Sequence, residues 1–229
     1  DVDGRRTGQL SPAPGEWSSA GESAWKAAAP ECVAYLLPHG GSQFTRSAQL
    51  VDAGTLPALA RALHFMPDEN AIILAAVRHG LAAWPRARQV LLCDTGFFAG
   101  LPPAAAEYAI PLALRQRGVR RYGGFGLAHE WAWTQVRASL GAGLGRLVSV
   151  FVGNQTNVAA VADGRAVDTS MGFTAVEGIP SATSCGDIDP TIALHLRGAG
   201  MTLAEINLLL SRESGFAGLT GRPCSLVEL

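Results

Sequence analysis

Few side chains in this sequence combine a reactive type with a position suited to chemistry. Asp94 follows the apolar run Gln89–Leu92, which reads as a buried strand. Functional acids in α/β sheets stand at such strand ends. The same placement also suits an ordinary helix N-cap. His39, in Pro38-His39-Gly40-Gly41, ends a second apolar run, Cys32–Leu37. An imidazole there offers general acid–base chemistry, although a lone histidine is more often structural. Gly153-Asn154 closes a third run, Leu147–Val152. Cys32, Cys93, Cys185 and Cys224 are widely spaced, form no paired metal pattern, and read as reduced thiols of a cytoplasmic protein.

The elements that must position these groups follow from local pattern. Leu147–Val152, Val158–Val161 and Arg165–Thr169 predict three antiparallel strands, the last two joined by an Asp163-Gly164 turn. Ser170–Cys185 is rich in small, polar, Gly and Pro residues and reads as a long ordered loop, the kind of segment that carries function. Asp189 and Pro190 look like the N-cap and first residue of a helix. Upstream, Leu56–Leu63 predicts a helix burying Leu56, Leu59, Ala60 and Leu63, and Ala71–Leu81 a second. Pro102–Arg117 reads as one helix ending before Gly118. Glu130–Leu140 reads as another, burying Trp131, Trp133, Val136 and Leu140. Thr202-Leu203-Ala204-Glu205 is a capping box that opens a helix through Leu210, and Ser214–Gly221 reads as a glycine-rich loop. Residues 1–30 read as a loose lead-in with a short helix near Ala20–Ala29, and 31–229 as one α/β domain.

The central stretch resembles the acetate kinase family, the short-chain carboxylate kinases that include propionate and butyrate kinases. The resemblance rests on Gly153-Asn154, Val158–Val161, Val167–Thr174, Glu177-Gly178 and Gly186–Pro190. Collinear matches support it at His39-Gly40-Gly41, Asp94-Thr95, Pro102-Pro103, Arg121-Tyr122-Gly123, His129, Ser214-Gly215 and Gly218–Gly221. It implies the ribonuclease H-like fold of the acetate and sugar kinases, Hsc70 and actin: a mixed sheet with flanking helices, incomplete here relative to the two-lobed family. It implies transfer of the ATP γ-phosphoryl to a carboxylate, with Mg-ATP as cofactor, and a homodimer. Carried over by position, Asp94 matches the catalytic aspartate that orients magnesium and phosphate, while His39, Gly153 and Asn154 match substrate- or phosphate-binding residues.

Other positions depart from the family pattern. Leu36 stands where the family has a substrate-contacting arginine, and Glu69 where it has a histidine. Phe125 and Phe151 replace two more histidines, and Ser184 replaces an essential arginine. Leucine, phenylalanine and serine cannot supply the cationic, bidentate contacts that a phosphoryl group needs. Losing such an arginine costs on the order of 10³ in rate or more. Gln155 adds a side chain where the family keeps a second glycine. The phosphate loop and most of the nucleotide lobe also have no counterpart here. These departures point to a pseudoenzyme that binds a protein partner or forms a dimer scaffold. The runner-up reading is an active carboxylate kinase. A net charge of −1 gives no reason to expect nucleic acid or an anionic membrane, and no apolar run is long enough to span a bilayer.

Overall fold

The computed structural model describes residues 30–141, 143–224 and 226. The lead-in expected over residues 1–30, with its short helix, lies outside the described residues apart from Pro30. The described chain divides into two compact units, one holding residues up to Leu37 with Ala48–Leu92, the other Pro38–Ser47 with everything from Cys93 on. None of the described helices is long and apolar enough to cross a membrane.

The first unit is built on strands β1 (Cys32–Leu37), β2 (Ala48–Leu50) and β3 (Arg88–Cys93), in the order β1-β3-β2. β2 and β3 run antiparallel, with Gln49 opposite Leu91. Helices α1 (Thr55–Ala62) and α2 (Pro67–Ala83) pack on each other, and α2 packs on β1. The buried face of α1 carries Thr55, Leu59 and Ala62. Ala60, expected inside, is exposed, because the buried stripe follows i, i+4 and i+7 from Thr55. Gln89 is buried and ties the sheet to the end of α2. It accepts from the Tyr35 hydroxyl and donates to the Trp84 carbonyl at 3.1 Å.

The second unit carries the predicted meander. Strands β4 (Arg146–Val152), β5 (Thr156–Ala162) and β6 (Arg165–Thr169) pair antiparallel in that order. Asp163 and Gly164 take φ of 49° and 80°, the left-handed pair that a tight hairpin turn needs and that Asp-Gly tolerates. The buried face packs a core of Phe98, Leu101, Ala106, Ala159 and Ala166. Ser170–Pro190 forms no helix or strand, as its composition predicts.

Four further expectations fail for identifiable reasons. The Pro102–Arg117 helix is two short ones, α3 (Pro103–Ala106) and α4 (Leu112–Gln116). Pro111 has no amide hydrogen and disfavours helical geometry at Ile110, so the chain breaks there. Helix α5 (Gly126–Leu140) buries Trp133 and His129, whereas Trp131 and Leu140 are 66 % and 72 % exposed. The next helix, α6, spans Thr191–Gly198; Asp189 still accepts from the Thr191 amide at 2.8 Å, so the capping contact lies one residue off. After α7 (Leu203–Arg212), whose capping box is complete, Ser214–Gly221 is not a loop. It forms helix α8 (Gly215–Thr220), closed by Gly221 in the left-handed region.

One buried side chain holds the second unit's polar interior together. Asn157 on β5 has no exposed surface. Its Nδ2 donates to the Gly124 carbonyl at 2.7 Å, and its Oδ1 accepts from Thr169 Oγ1, Ser170 Oγ and the Met171 amide at 3.1, 2.7 and 3.2 Å. We predict that Asn157→Ala destabilises the fold by about 3 kcal/mol in chemical denaturation, because several buried groups lose their partner at once. A loss within 0.5 kcal/mol, roughly the size of a surface substitution, would show that the network is dispensable.

Candidate functional site

The site grows from the turn after β3. Asp94–Phe98 forms a 3-10 turn, and Thr95 Oγ1 accepts from the Gly40 amide at 3.0 Å. Asp94 Oδ1 accepts from the Leu127 amide at 3.2 Å, at the N-terminus of α5, where the helix dipole favours a negative charge. Burial raises the carboxyl pKa, and hydrogen bonds from the Leu127 and Phe125 amides pull it back. Gly126 makes this approach feasible: a Cβ there would lie 2.1 Å from the Asp94 carbonyl oxygen. Asp94, matched to the catalytic aspartate, is thus also the N-terminal cap of α5.

Phe125 precedes α5 with φ of 55°, a left-handed conformation that costs a non-glycine residue about 1 kcal/mol. This backbone carries its ring onto that of Phe151, with centroids 4.1 Å apart and planes 13° from parallel. The two positions where the resemblance implies histidines are therefore in contact. The two departures form a single half-buried aromatic stack.

Phe151 leads through β4 into the turn at Gly153-Asn154. The Gly153 amide donates to the Gln155 carbonyl at 3.0 Å, and a Cβ on Gly153 would stand 3.1 Å from the Phe151 ring. The Asn154 carbonyl accepts from the Ala182 amide at 3.0 Å, tying this turn to the long loop. Asn154 lines an open cleft of about 580 Å³ with Thr183, Arg212, Glu213 and Arg222. Ser184 is 1 % exposed and faces inward, its Oγ 2.6 Å from Ser181 Oγ. Amides of Ser214, Phe216 and Ala217 donate to the carbonyls of Thr183, Ser181 and Ala182, so the loop is stitched to the start of α8.

His39 is 2 % exposed. Its Nδ1 accepts from the Gly41 amide at 3.1 Å, which leaves Nε2 to donate to the Phe173 carbonyl at 2.9 Å. Its ring also meets the edge of Tyr122 at 4.9 Å. Leu36, 51 % exposed on β1, and Glu69, in the first turn of α2, belong to the first unit. In the second unit Asp94, Phe125, Phe151, Gly153, Asn154 and Ser184 form one connected run, from helix cap to stack to turn to loop. Among the described residues no group of three or more His, Cys, Asp and Glu is arranged to hold a metal ion.

Sequence reasoning assigned no role to three interactions that shape this region. Asn157 is one. Another joins Tyr108, Arg121 and Glu177. The Tyr108 hydroxyl donates to Glu177 and accepts from the Phe173 amide at 2.7 Å, while Arg121 pairs with Glu177 at 2.9 Å. Burial, reinforced by Glu177, pushes the Tyr108 hydroxyl well above its ordinary pKa. The third is His129, fully buried, with Nδ1 2.8 Å from Ser149 Oγ. Its Nε2 has no hydrogen-bond partner among the described residues.

The fold is that of the carboxylate kinases. A propionate kinase structure from Francisella tularensis subsp. tularensis SCHU S4 superposes with a TM-score of 0.79 at 30 % identity, covering 84 % of this chain and 50 % of that one. The acetate kinase of Porphyromonas gingivalis gives 0.77 at 31 %, with 86 % and 50 % covered. The sequence pattern of the acetokinase family matches residues 27–228, and the chain belongs to that family. The acetate kinase of Shewanella sp. (strain W3-18-1) is 36 % identical over 194 residues, 83 % of this chain and 48 % of the relative. The chain therefore spans about half the length of the relatives it matches.

His129 gives this unit an acid-sensitive point. Burial lowers its pKa from 6.5 to about 4. The unfolded chain then binds more protons across that window, so stability is full above 6.5 and falls as pH drops toward 4. The loss should reach on the order of 3 kcal/mol. Unfolding curves across that range should be flatter for His129→Gln, and equal slopes for the two proteins would refute the assignment.

Proposed function

We propose that this chain is a carboxylate-kinase-family protein that does not transfer phosphoryl groups at useful rates, and that it acts in the cytoplasm by binding, as a dimer or as a scaffold for a protein partner. One observation carries the reading: Phe125 and Phe151 stack at 4.1 Å in the two positions where the resemblance implies imidazoles. Phosphoryl transfer relies on charged and hydrogen-bonding groups fixed around the developing charge, and two phenyl rings supply none. Ser184 continues the theme, since its hydroxyl is buried against Ser181.

Mg-ATP is the cofactor that the resemblance implies, and the residues of the second unit fit it poorly. The Asp94 carboxylate accepts from the Leu127 amide as a helix cap, and the His39 ring is engaged on both nitrogens. The second reading is a short-chain carboxylate kinase that makes an acyl phosphate. It draws on Asp94, kept at the strand end, and on Asn154, whose cleft also carries Arg212 and Arg222.

A coupled assay with Mg-ATP and a panel of short carboxylates separates the two. We expect turnover at least about 10³-fold below ordinary kinase rates of roughly 1–100 s⁻¹. Turnover within that ordinary range would establish the kinase reading instead.

A further inference from the structure

The setting of His39 is made by the backbone of the long loop. Its Nε2 donates to the Phe173 carbonyl at 2.9 Å, and its Nδ1 accepts from the Gly41 amide at 3.1 Å. An imidazole that accepts on one nitrogen and donates from the other is neutral, here with its hydrogen on Nε2. A ligand reaches that N–H by displacing Phe173. Whatever holds Phe173 in place therefore sets the cost of using the ring.

Phe173 is gripped on its amide side. Its N–H meets two acceptors, the Tyr108 hydroxyl at 2.7 Å and Glu177 Oε2 at 3.2 Å, and the Tyr108 hydroxyl itself donates to Glu177. Burial and the Glu177 charge keep that hydroxyl protonated, so it serves both contacts at once. Arg121 closes the cluster. It pairs with Glu177 Oε1 at 2.9 Å, donates from Nη1 to the Thr169 carbonyl at 3.4 Å, and stands 5.6 Å from the Tyr108 ring centroid. A Cβ on Gly172 would run into the Glu177 carboxylate, so the residue before Phe173 has no room for a side chain. The Gly172 carbonyl accepts from the Tyr122 and Gly123 amides at 2.9 and 3.3 Å. The Tyr122 ring meets His39 at 4.9 Å and Phe173 at 6.0 Å. Arg121-Tyr122-Gly123 thus grips the cluster, the loop backbone and the imidazole in one short run. All of these residues belong to the second unit.

We propose that Tyr108 and Glu177 act as positioning residues for His39, working through the Phe173 backbone to keep the ring neutral, with its hydrogen on Nε2 and pointed into the protein. The amide they pin and the carbonyl that receives Nε2 belong to the same residue, so the carbonyl swings away only when the amide lets go of two acceptors. This assignment goes beyond the functional reading, because it holds whether the second unit binds a ligand or transfers a phosphoryl group.

Side-chain nitrogen NMR of the isotope-labelled chain tests it. The chain has five histidines, and His39→Gln identifies the signal of interest. In the wild type we expect His39 to carry its hydrogen on Nε2 and to exchange it slowly with solvent. Tyr108→Phe keeps the ring and its packing. It should speed that exchange at least about tenfold beyond what its loss of global stability accounts for, the factor that one net hydrogen bond is worth. Glu177→Gln keeps the size of the side chain, drops the ion pair with Arg121, and should show the same local opening. Val161→Ala is the control: it leaves a cavity on β5, lowers global stability, and should add no local opening at His39. A hydrogen on Nδ1 of wild-type His39 overturns the proposal, because the Phe173 carbonyl then receives nothing from the ring. Exchange that rises in Y108F and E177Q merely in step with global stability, as in V161A, overturns it too, since the cluster is then a general support of the fold. Local opening in Y108F without E177Q removes Glu177 from the assignment.

Discussion

The second unit depends on a single buried amide. Asn157 sits on the middle strand of the meander and spends its whole useful polarity on three neighbours: the end of β6, the start of the long loop, and the Gly124 carbonyl. The last contact fixes the backbone just before Phe125, which in turn sets where α5 begins and how its first amides meet Asp94. In a low-dielectric interior such a network is strong when complete and costly when broken. A carboxylate lacks the donor that Gly124 requires, and an aliphatic side chain lacks both functions. The site geometry is thus set from within the sheet.

That framework holds, at the positions where the resemblance implies charged groups, side chains of a different character. The family pattern puts imidazoles and guanidinium groups there; this chain has an aromatic stack and a buried hydroxyl. Stacked rings contribute about 0.5–1.5 kcal/mol beyond area burial, enough to offset the left-handed backbone that Phe125 adopts. The stack is therefore compatible with stability, and it puts no charge at either of these two positions. The polar residues that remain are largely engaged in structure: His39 on two backbone groups, Asp94 on a helix N-terminus.

How much of this was legible in the sequence depended on range. The β4–β6 meander, the Asp163-Gly164 turn and the Thr202–Glu205 capping box are written in residues adjacent along the chain, and they appear where pattern puts them. The break at Pro111 was missed, because the prolines at 102 and 103 and the glycine at 118 read as the two ends of one helix. The α8 helix was obscured by its glycines, and its first turn is secured by long-loop carbonyls far upstream (Ser214 to Thr183, Phe216 to Ser181). Periodicity over Glu130–Leu140 located the helix and misjudged its face, because which side is covered depends on the strand packed against it. At the site, motif resemblance brought Asp94, Phe125, Phe151 and Asn154 to notice. It gave no sign that Phe125 and Phe151 touch, or that Asn157 carries the network. Those facts join residues far apart in the chain, and no local pattern encodes them.

The burial of Ser184 has a consequence for what that position can hold. Its hydroxyl is paired with Ser181, and the carbonyls around it are bound by the opening turn of α8. A Cβ on Gly215 would already lie 2.8 Å from the Ser184 carbonyl oxygen, so the surroundings have closed on a small side chain. An arginine there would have to open that packing before its guanidinium reached the cleft beside it. Such a position acts as a size gate, admitting a small side chain and turning away a long one whatever chemistry it would bring.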